Sequence, residues 1–402
     1  MKYPMRPIWT IATITGICAI GSTLVSVALA SVIFADTGSA SRSALVFLIQ
    51  FLPVAVLFKL IWRLSERGLP RSLIGAACVV SCLLSVVLGI VFALEQSILL
   101  YGLLAVRGFL ECVIKQGRTV AIKALSENLD VGAHSTSVTL FEFAGQAIGA
   151  VFAIYALRHL TSLEICMLDA ALFLVGGAMA LALPAFNLTA PGPSAPNTLS
   201  GTLRQLPDHP SLLFYLTILI GVVVTLQAAN QTLRTWLPMH WLGMTSQFVG
   251  VTETISLIGI VFGIVVARIS LKRDQLRPAV ASAFAAVAAL LLVMLFVTRG
   301  QWVVLFAYLV YMILFEAAFA YSMSAMLISC PPELTKSVVA LAYAVSYGGV
   351  AISGFALAVA SDLLGFDRVA VFASVPLVVL AAVMLRSHTR VNQGMALSER
   401  TR

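Results

Sequence analysis

Arg107, Glu111 and Lys115 stand four residues apart in the stretch Val106-Arg107-Gly108-Phe109-Leu110-Glu111-Cys112-Val113-Ile114-Lys115. On a helix this spacing puts all three on one face and makes Arg107 and Glu111 a natural ion pair. An acid beside bases in apolar surroundings can take up and release a proton, while a guanidinium can bind an anionic or polar group or reset the carboxylate. The other reading is a structural pair that only orients its helix. Glu142 stands in a second apolar stretch, with Gln146 one turn further along the same face. If the two stretches run antiparallel, Glu142 lies at nearly the depth of Glu111, where two carboxylates could share a proton. Glu316 has no basic residue within a turn and is the strongest single candidate for carrying a proton.

Polar residues supply the binding candidates. Gln227, Gln231 and Arg234 form one stripe with Asn230 beside it, as expected of an outer vestibule, or of a helix end at the interface. Glu253 is expected nearer the outer surface, hydrated or snorkelling. Gln50 is a further candidate, and Asp169 is placed at the outer interface. The cysteines show no CxxC pair and no neighbouring histidine, so neither a disulfide framework nor a zinc site is expected.

The elements that must carry these residues follow from composition. The chain has 402 residues, 60% hydrophobic and only 10% charged, with a mean hydropathy of +1.01. A soluble domain has roughly 25% charged residues. The apolar residues come in blocks of roughly 20, the span of one transmembrane helix. Secreted enzymes, nucleic-acid binders and disordered proteins are excluded together. Blocks are read near residues 8–33, 43–62, 72–94, 97–116, 135–157, 164–184, 211–233, 246–267, 278–298, 303–324, 337–359 and 369–386. The first resembles a signal peptide, but its apolar run is too long and a polytopic chain follows. Pro53 and Pro376 are expected to kink the second and twelfth helices.

The net charge of +8 is topological. With a cytoplasmic N-terminus the outer segments keep only Arg42, Arg158, Arg234, Arg299 and Arg368; apart from Arg107, every other basic residue falls inside. This positive-inside bias puts both termini in the cytoplasm, in the inner membrane of a cell that has two. The proline-rich stretch 185–210 then divides an N-terminal six-helix bundle, 1–184, from a C-terminal one, 211–402 with its short tail. A shift of about 205 residues lays the basic loop after the second helix on that after the eighth, and Glu111 on Glu316. The coincidence favours a duplicated unit with a midplane site between the repeats. The chain has no G-x-x-x-x-G-K-S/T loop for ATP, and its histidines fall in loops or at helix ends, so no cofactor, helical metal site or catalytic constellation is read.

Twelve helices in two halves, cytoplasmic termini, a polar central loop and two matching basic loops resemble the major facilitator superfamily along the whole chain. The family's loop signature, G-x-x-x-D-R-x-G-R-R/K, is approximated by Leu64-Ser65-Glu66-Arg67-Gly68-Leu69-Pro70-Arg71, with Glu for Asp and an interrupting proline. The resemblance implies a gating role for Glu66, Arg67 and Arg71, and for Arg273 in the matching loop. Arg107 looks like the family's proton-coupling arginine of the fourth helix. Gly145-Gln146-Ala147-Ile148-Gly149-Ala150 is similar to the G-x-x-x-G-P signature of antiporting exporters, with Ala150 for the proline.

The resulting expectation is an all-α integral membrane protein with twelve transmembrane helices. It would be a secondary transporter of the drug-efflux-like branch, exporting a small organic or amphipathic compound in exchange for protons. Arg107, Glu111, Glu142 and Glu316 would couple protons, and Gln146, Gln227, Asn230, Gln231, Arg234, Glu253 and Gln50 would bind substrate. Its partners are the solute, protons and the lipid bilayer, with no nucleic acid, and monomer is the superfamily's habit. A proton-coupled importer of a solute such as a metal-chelating metabolite, a lipid or lysolipid flippase, and a transporter-like sensor are the other readings.

Overall fold

The computed structural model describes residues 6–57, 60, 70–94, 97–125, 131–183, 206–245, 248–274, 277–297, 299–331 and 335–400. Every regular element among the described residues is helical. The order is α1 (Arg6–Thr37), α2 (Ala40–Leu48), α3 (Leu52–Val56), α4 (Pro70–Ala93), α5 (Ser97–Leu125), α6 (Val131–His159) and α7 (Ser162–Leu181). Then come α8 (Pro210–Val222), α9 (Ala228–Trp236), α10 (Phe248–Asp274), α11 (Pro278–Met294), α12 (Gln301–Ser329), α13 (Thr335–Leu364) and α14 (Phe366–Arg400). The 185–210 linker lies outside the described residues up to 205.

Among the described residues nine helices are long and apolar enough to cross a membrane. The expected spans outside that number are the second, the fourth and the ninth. The second is broken between Leu48 and Leu52, beside Pro53, whose ring and missing N–H end a helical ladder. The fourth, α5, carries Arg107, Glu111, Lys115 and Arg118 inside its apolar run. The ninth, α11, has 17 residues. Several helices also outrun their expected blocks, α5 to Leu125 and α14 to Arg400. Charged residues end hydropathy but not helical hydrogen bonding. The expected seventh helix runs from Pro210 to Trp241 through two π-helical turns, Val223–Gln227 and Leu237–Trp241.

The chain folds as two compact units. The first holds residues 1–193 together with Arg234–Leu257, and the second Ser194–Leu233 with Ile258–Arg402. In the first unit α1 lies directly along α6, because a Cβ on Gly145 would overlap the Gly16 carbonyl and one on Gly149 the Ile20 carbonyl. The GxxxG pair thus works by letting two backbones touch. α4 packs against α7, and α7 starts on a capping box between Thr161 and Glu164. Apolar clusters around Leu24, Val46 and Phe173 fill the spaces between these helices.

In the second unit α8 packs on α12, and α11 on α12 and α14. Buried aromatic rings dominate it: Tyr215, Tyr308, Tyr311 and Tyr321 are all closed from solvent. Tyr321 ties α12 to the start of α11, its hydroxyl accepting from the Arg277 N–H at 2.9 Å. The π-helical turn at Val223–Gln227 leaves carbonyls outside the regular ladder. Neighbouring helices satisfy two of them: the Tyr311 hydroxyl donates to Leu226 O at 2.9 Å and the Ser353 hydroxyl to Val224 O at 2.7 Å.

Candidate functional site

A charge in a bilayer interior costs a few kcal/mol or more, so the buried charged groups are the places to look for function. Arg107 is the largest fully buried side chain of the molecule's described residues, 1% exposed. Its guanidinium forks onto Asp169 of α7, Nη1 to Oδ2 at 2.6 Å and Nη2 to Oδ1 at 2.9 Å. Nε donates to Glu111 Oε1 at 3.2 Å. The remaining donors reach Ser85 Oγ on α4 at 3.4 Å and Ser22 Oγ on α1 at 3.3 Å. A guanidinium has five N–H donors, and all of them are used. The serines complete the network, Ser85 donating to Asp169 Oδ2 at 2.6 Å and Ser22 to Glu111 Oε1 at 2.7 Å. The Phe173 ring centroid lies 5.4 Å from the guanidinium carbon.

Side chains from α1, α4, α5 and α7 therefore converge on one point. α1 can approach it because Gly21 has no Cβ, which would strike Asp169 Oδ1. The i, i+4 pair read from the sequence is present, but it is the weaker half of the arrangement. Asp169 takes the bidentate fork, the stronger geometry, and is fully buried instead of lying at the outer interface. With both carboxylates ionised, the cluster holds one more negative charge than positive. Glu111, 22% exposed and held through Nε and one serine, is its looser member.

Glu142 is not a bare carboxylate. It is clamped by two cations of α5, Lys115 Nζ at 3.0 Å from Oε1 and Arg118 Nη2 at 2.5 Å from Oε2. Lys115, expected on the Glu111 face, thus reaches across to α6. Gln146 is half-buried one turn beyond.

Arg234 and Glu253, expected to face an open vestibule or water, close on each other. Arg234 Nη1 lies 2.9 and 2.8 Å from the two Glu253 oxygens. The guanidinium sits over the Phe47 ring at 3.8 Å, and Thr252 Oγ1 donates to Arg234 O at 2.7 Å. Desolvation explains the closure: each charge has lost its water, and the other is its replacement. Gln50 is likewise turned inward, its Nε2 donating to Val46 O at 2.7 Å and Ser26 Oγ at 3.2 Å.

In the second unit Tyr308 donates to Asn230 Oδ1 at 2.7 Å. Gln227 is half-buried within the π-helical turn, and buried Gln231 Oε1 has no hydrogen-bond partner among the described residues. Glu316 on α12 is 8% exposed and, among the described residues, makes neither hydrogen bond nor ion pair. A Cβ on Gly263 would come within 2.6 Å of the Glu316 Cβ, so the glycine lets the two helices close there. Of the expected gate, Glu66 and Arg67 lie outside the described residues, as does the Arg273 side chain, and Arg71 Nη1 is 3.5 Å from Leu183 O.

Asp169, Ser22, Ser85 and Arg118 were not among the expected site residues. An acid in the run Ile165–Phe173 was the available signal for Asp169; the serines carried none.

Among the described residues there is no group of three or more metal-ligating side chains. The sequence model of the Major Facilitator Superfamily matches residues 11–354. No curated protein sequence matches the chain. The fold is similar to that of a bacterial homolog to the human lysosomal transporter Spinster, inward-facing and unoccupied, at 14% identity, 96% of each chain covered and TM-score 0.73. It is similar to the nucleoside transporter NupG at 14% identity, covering 96% of this chain and 99% of that one, with TM-score 0.71. A POT family transporter in complex with 5-aminolevulinic acid gives 12% identity, 96% coverage of each chain and TM-score 0.74. The chain belongs to the Major Facilitator Superfamily and is an integral membrane transporter, not an enzyme.

Proposed function

We propose that the chain is a secondary active transporter that exports a small organic compound in exchange for protons, by alternating access of two six-helix bundles. The bundles are residues 1–184 and 211–402, with 185–210 the cytoplasmic linker and both termini cytoplasmic. The protein acts as a monomer in the cytoplasmic membrane, in the drug-efflux-like branch of its family.

One observation carries the proton coupling: two carboxylates stand on a single buried guanidinium. One proton brings that cluster to neutrality. Glu111 is the acceptor, because it is the more exposed carboxylate and gives up one Nε contact, whereas Asp169 would give up a fork. Arg107 then stays with Asp169, and Ser22 follows the change on Glu111. Glu316 supplies a second protonation site, whose charge no basic group among the described residues offsets. Asn230, Gln227 and Gln231 offer amides for a polar solute.

The test compares small molecules inside cells and in spent medium, with and without the gene, with Glu111→Gln and Glu316→Gln complements. Retention of a compound in cells lacking the gene, relieved by wild type and by neither variant, is the expected result. A compound left in the medium would reverse the direction to uptake. Normal transport by both variants would remove the carboxylates from the mechanism.

A further inference from the structure

We propose that Cys18 and Cys78 form a binding site for a soft, two-coordinate dication of the mercuric class. The thiols meet across two helices, Sγ of Cys18 on α1 lying 3.9 Å from Sγ of Cys78 on α4. Both are buried, Cys78 completely. A third helix makes room for them: a Cβ on Gly176 of α7 would come within 2.8 Å of Cys18 Sγ and 3.8 Å of Cys78 Sγ. The pair thus occupies a notch that a side chain at position 176 would fill. Apolar residues surround it, among them Ile14, Ile74, Ala77 and Phe173.

Ligand number, softness and charge select the ion. Thiolates favour soft metals. Zinc seeks four ligands, but among the described residues no third metal-ligating side chain joins the pair, not even Cys82 one turn further along α4. The ion must therefore be content with two sulfurs. A monovalent ion between two thiolates would leave a negative charge among apolar side chains, whereas a dication leaves none. On binding, two S–H bonds break and two sulfur–metal bonds form; both protons leave to solvent and no electrons are exchanged. The ion itself drives the deprotonation, which distinguishes this reaction from oxidation, since a buried neutral thiol is otherwise inert. Two bonds of the zinc–thiolate length, about 2.3 Å each, span about 4.6 Å in line, so the sulfurs need to part by about 0.7 Å. The bound ion would staple α1 to α4 one turn from Ser22, through which α1 joins the Arg107 network.

The test uses the full chain in phosphatidylcholine nanodiscs, with mercuric chloride as the probe and no ion gradient, so its outcome does not depend on the transport reading. A stoichiometric glutathione wash strips ions held by a single thiol, whereas two thiols on one chain hold theirs through effective concentration. Native mass spectrometry then counts the ions retained, and ultraviolet absorption reports the mercury–sulfur bond. Wild type should keep a single ion per chain. Cys18→Ala and Cys78→Ala should each lose it; where an alanine variant does not fold, Cys18→Ser or Cys78→Ser takes its place with the same loss. Cys82→Ala and Cys166→Ala should keep the ion, and Zn2+ should not be retained by wild type. No retained mercury in wild type, an ion that survives the loss of Cys18 or Cys78, an ion lost with Cys82 or Cys166, or zinc held as firmly as mercury would overturn the proposal.

Discussion

Arg107 with its two carboxylates and Glu316 by itself are opposite solutions to one problem, a charge in an apolar interior. In the first unit four helices supply partners, and every donor of the guanidinium is used. In the second unit Glu316 packs against Gly263 and, among the described residues, has no partner. The first arrangement ties structure to charge, since no member can be removed without exposing another. The second separates them, because removing the charge of Glu316 strands no partner among the described residues. Removing the guanidinium of the network is therefore expected to cost stability as well as function, and neutralising the isolated acid to cost function alone.

Mutations can break that contrast at either end. Arg107→Ala should have the largest effect, because it leaves Asp169 and Glu111 buried without a cation; breaking such a group costs about 3–5 kcal/mol. Thermal unfolding of the purified protein in detergent measures it, and an unchanged midpoint would refute the structural reading of the cluster. Asp169→Asn should cost less, about 1–3 kcal/mol, because Glu111 still neutralises Arg107; the same assay should rank it below Arg107→Ala. Arg234→Gln should fall in a similar range, since it leaves Glu253 buried and removes the cation from Phe47; adding Glu253→Gln should restore part of the loss in a double-mutant cycle. Glu316→Gln should move the midpoint least, by less than about 1 kcal/mol, while abolishing pH-dependent transport. A large destabilisation there, with transport intact, would erase the contrast.

Much of the first unit's site was legible because helical spacing is local. Arg107 and Glu111 share a helix, and their separation alone predicts the pair. Asp169 was not, because its partner is 62 residues away, and hydropathy places an acid near a helix start at the interface. Its helix is capped at Thr161, and Asp169 already lies a little over two turns inside it. The partners of Glu142 were hidden for a related reason. Its depth was judged against Glu111, whereas the contact is made by Lys115 and Arg118, long side chains whose reach across to α6 no periodicity records. The fold was legible at the level of apolar blocks, and less so where Pro53 breaks a helix or where charged ends prolong one.

The π-helical turn at Val223–Gln227 has a consequence in the currency of chain length. Such a turn is the outcome of one extra residue accommodated in a helix, and each helical residue carries about 100° of rotation. Deleting one residue there would leave a straight helix with every amino acid still of the right type. Asn230 would nevertheless swing away from Tyr308, and the carbonyls now capped by Tyr311 and Ser353 would return to the helical ladder. The register of the amides in this helix is thus set by a count, not by a side chain, and a single-codon deletion would rewrite it.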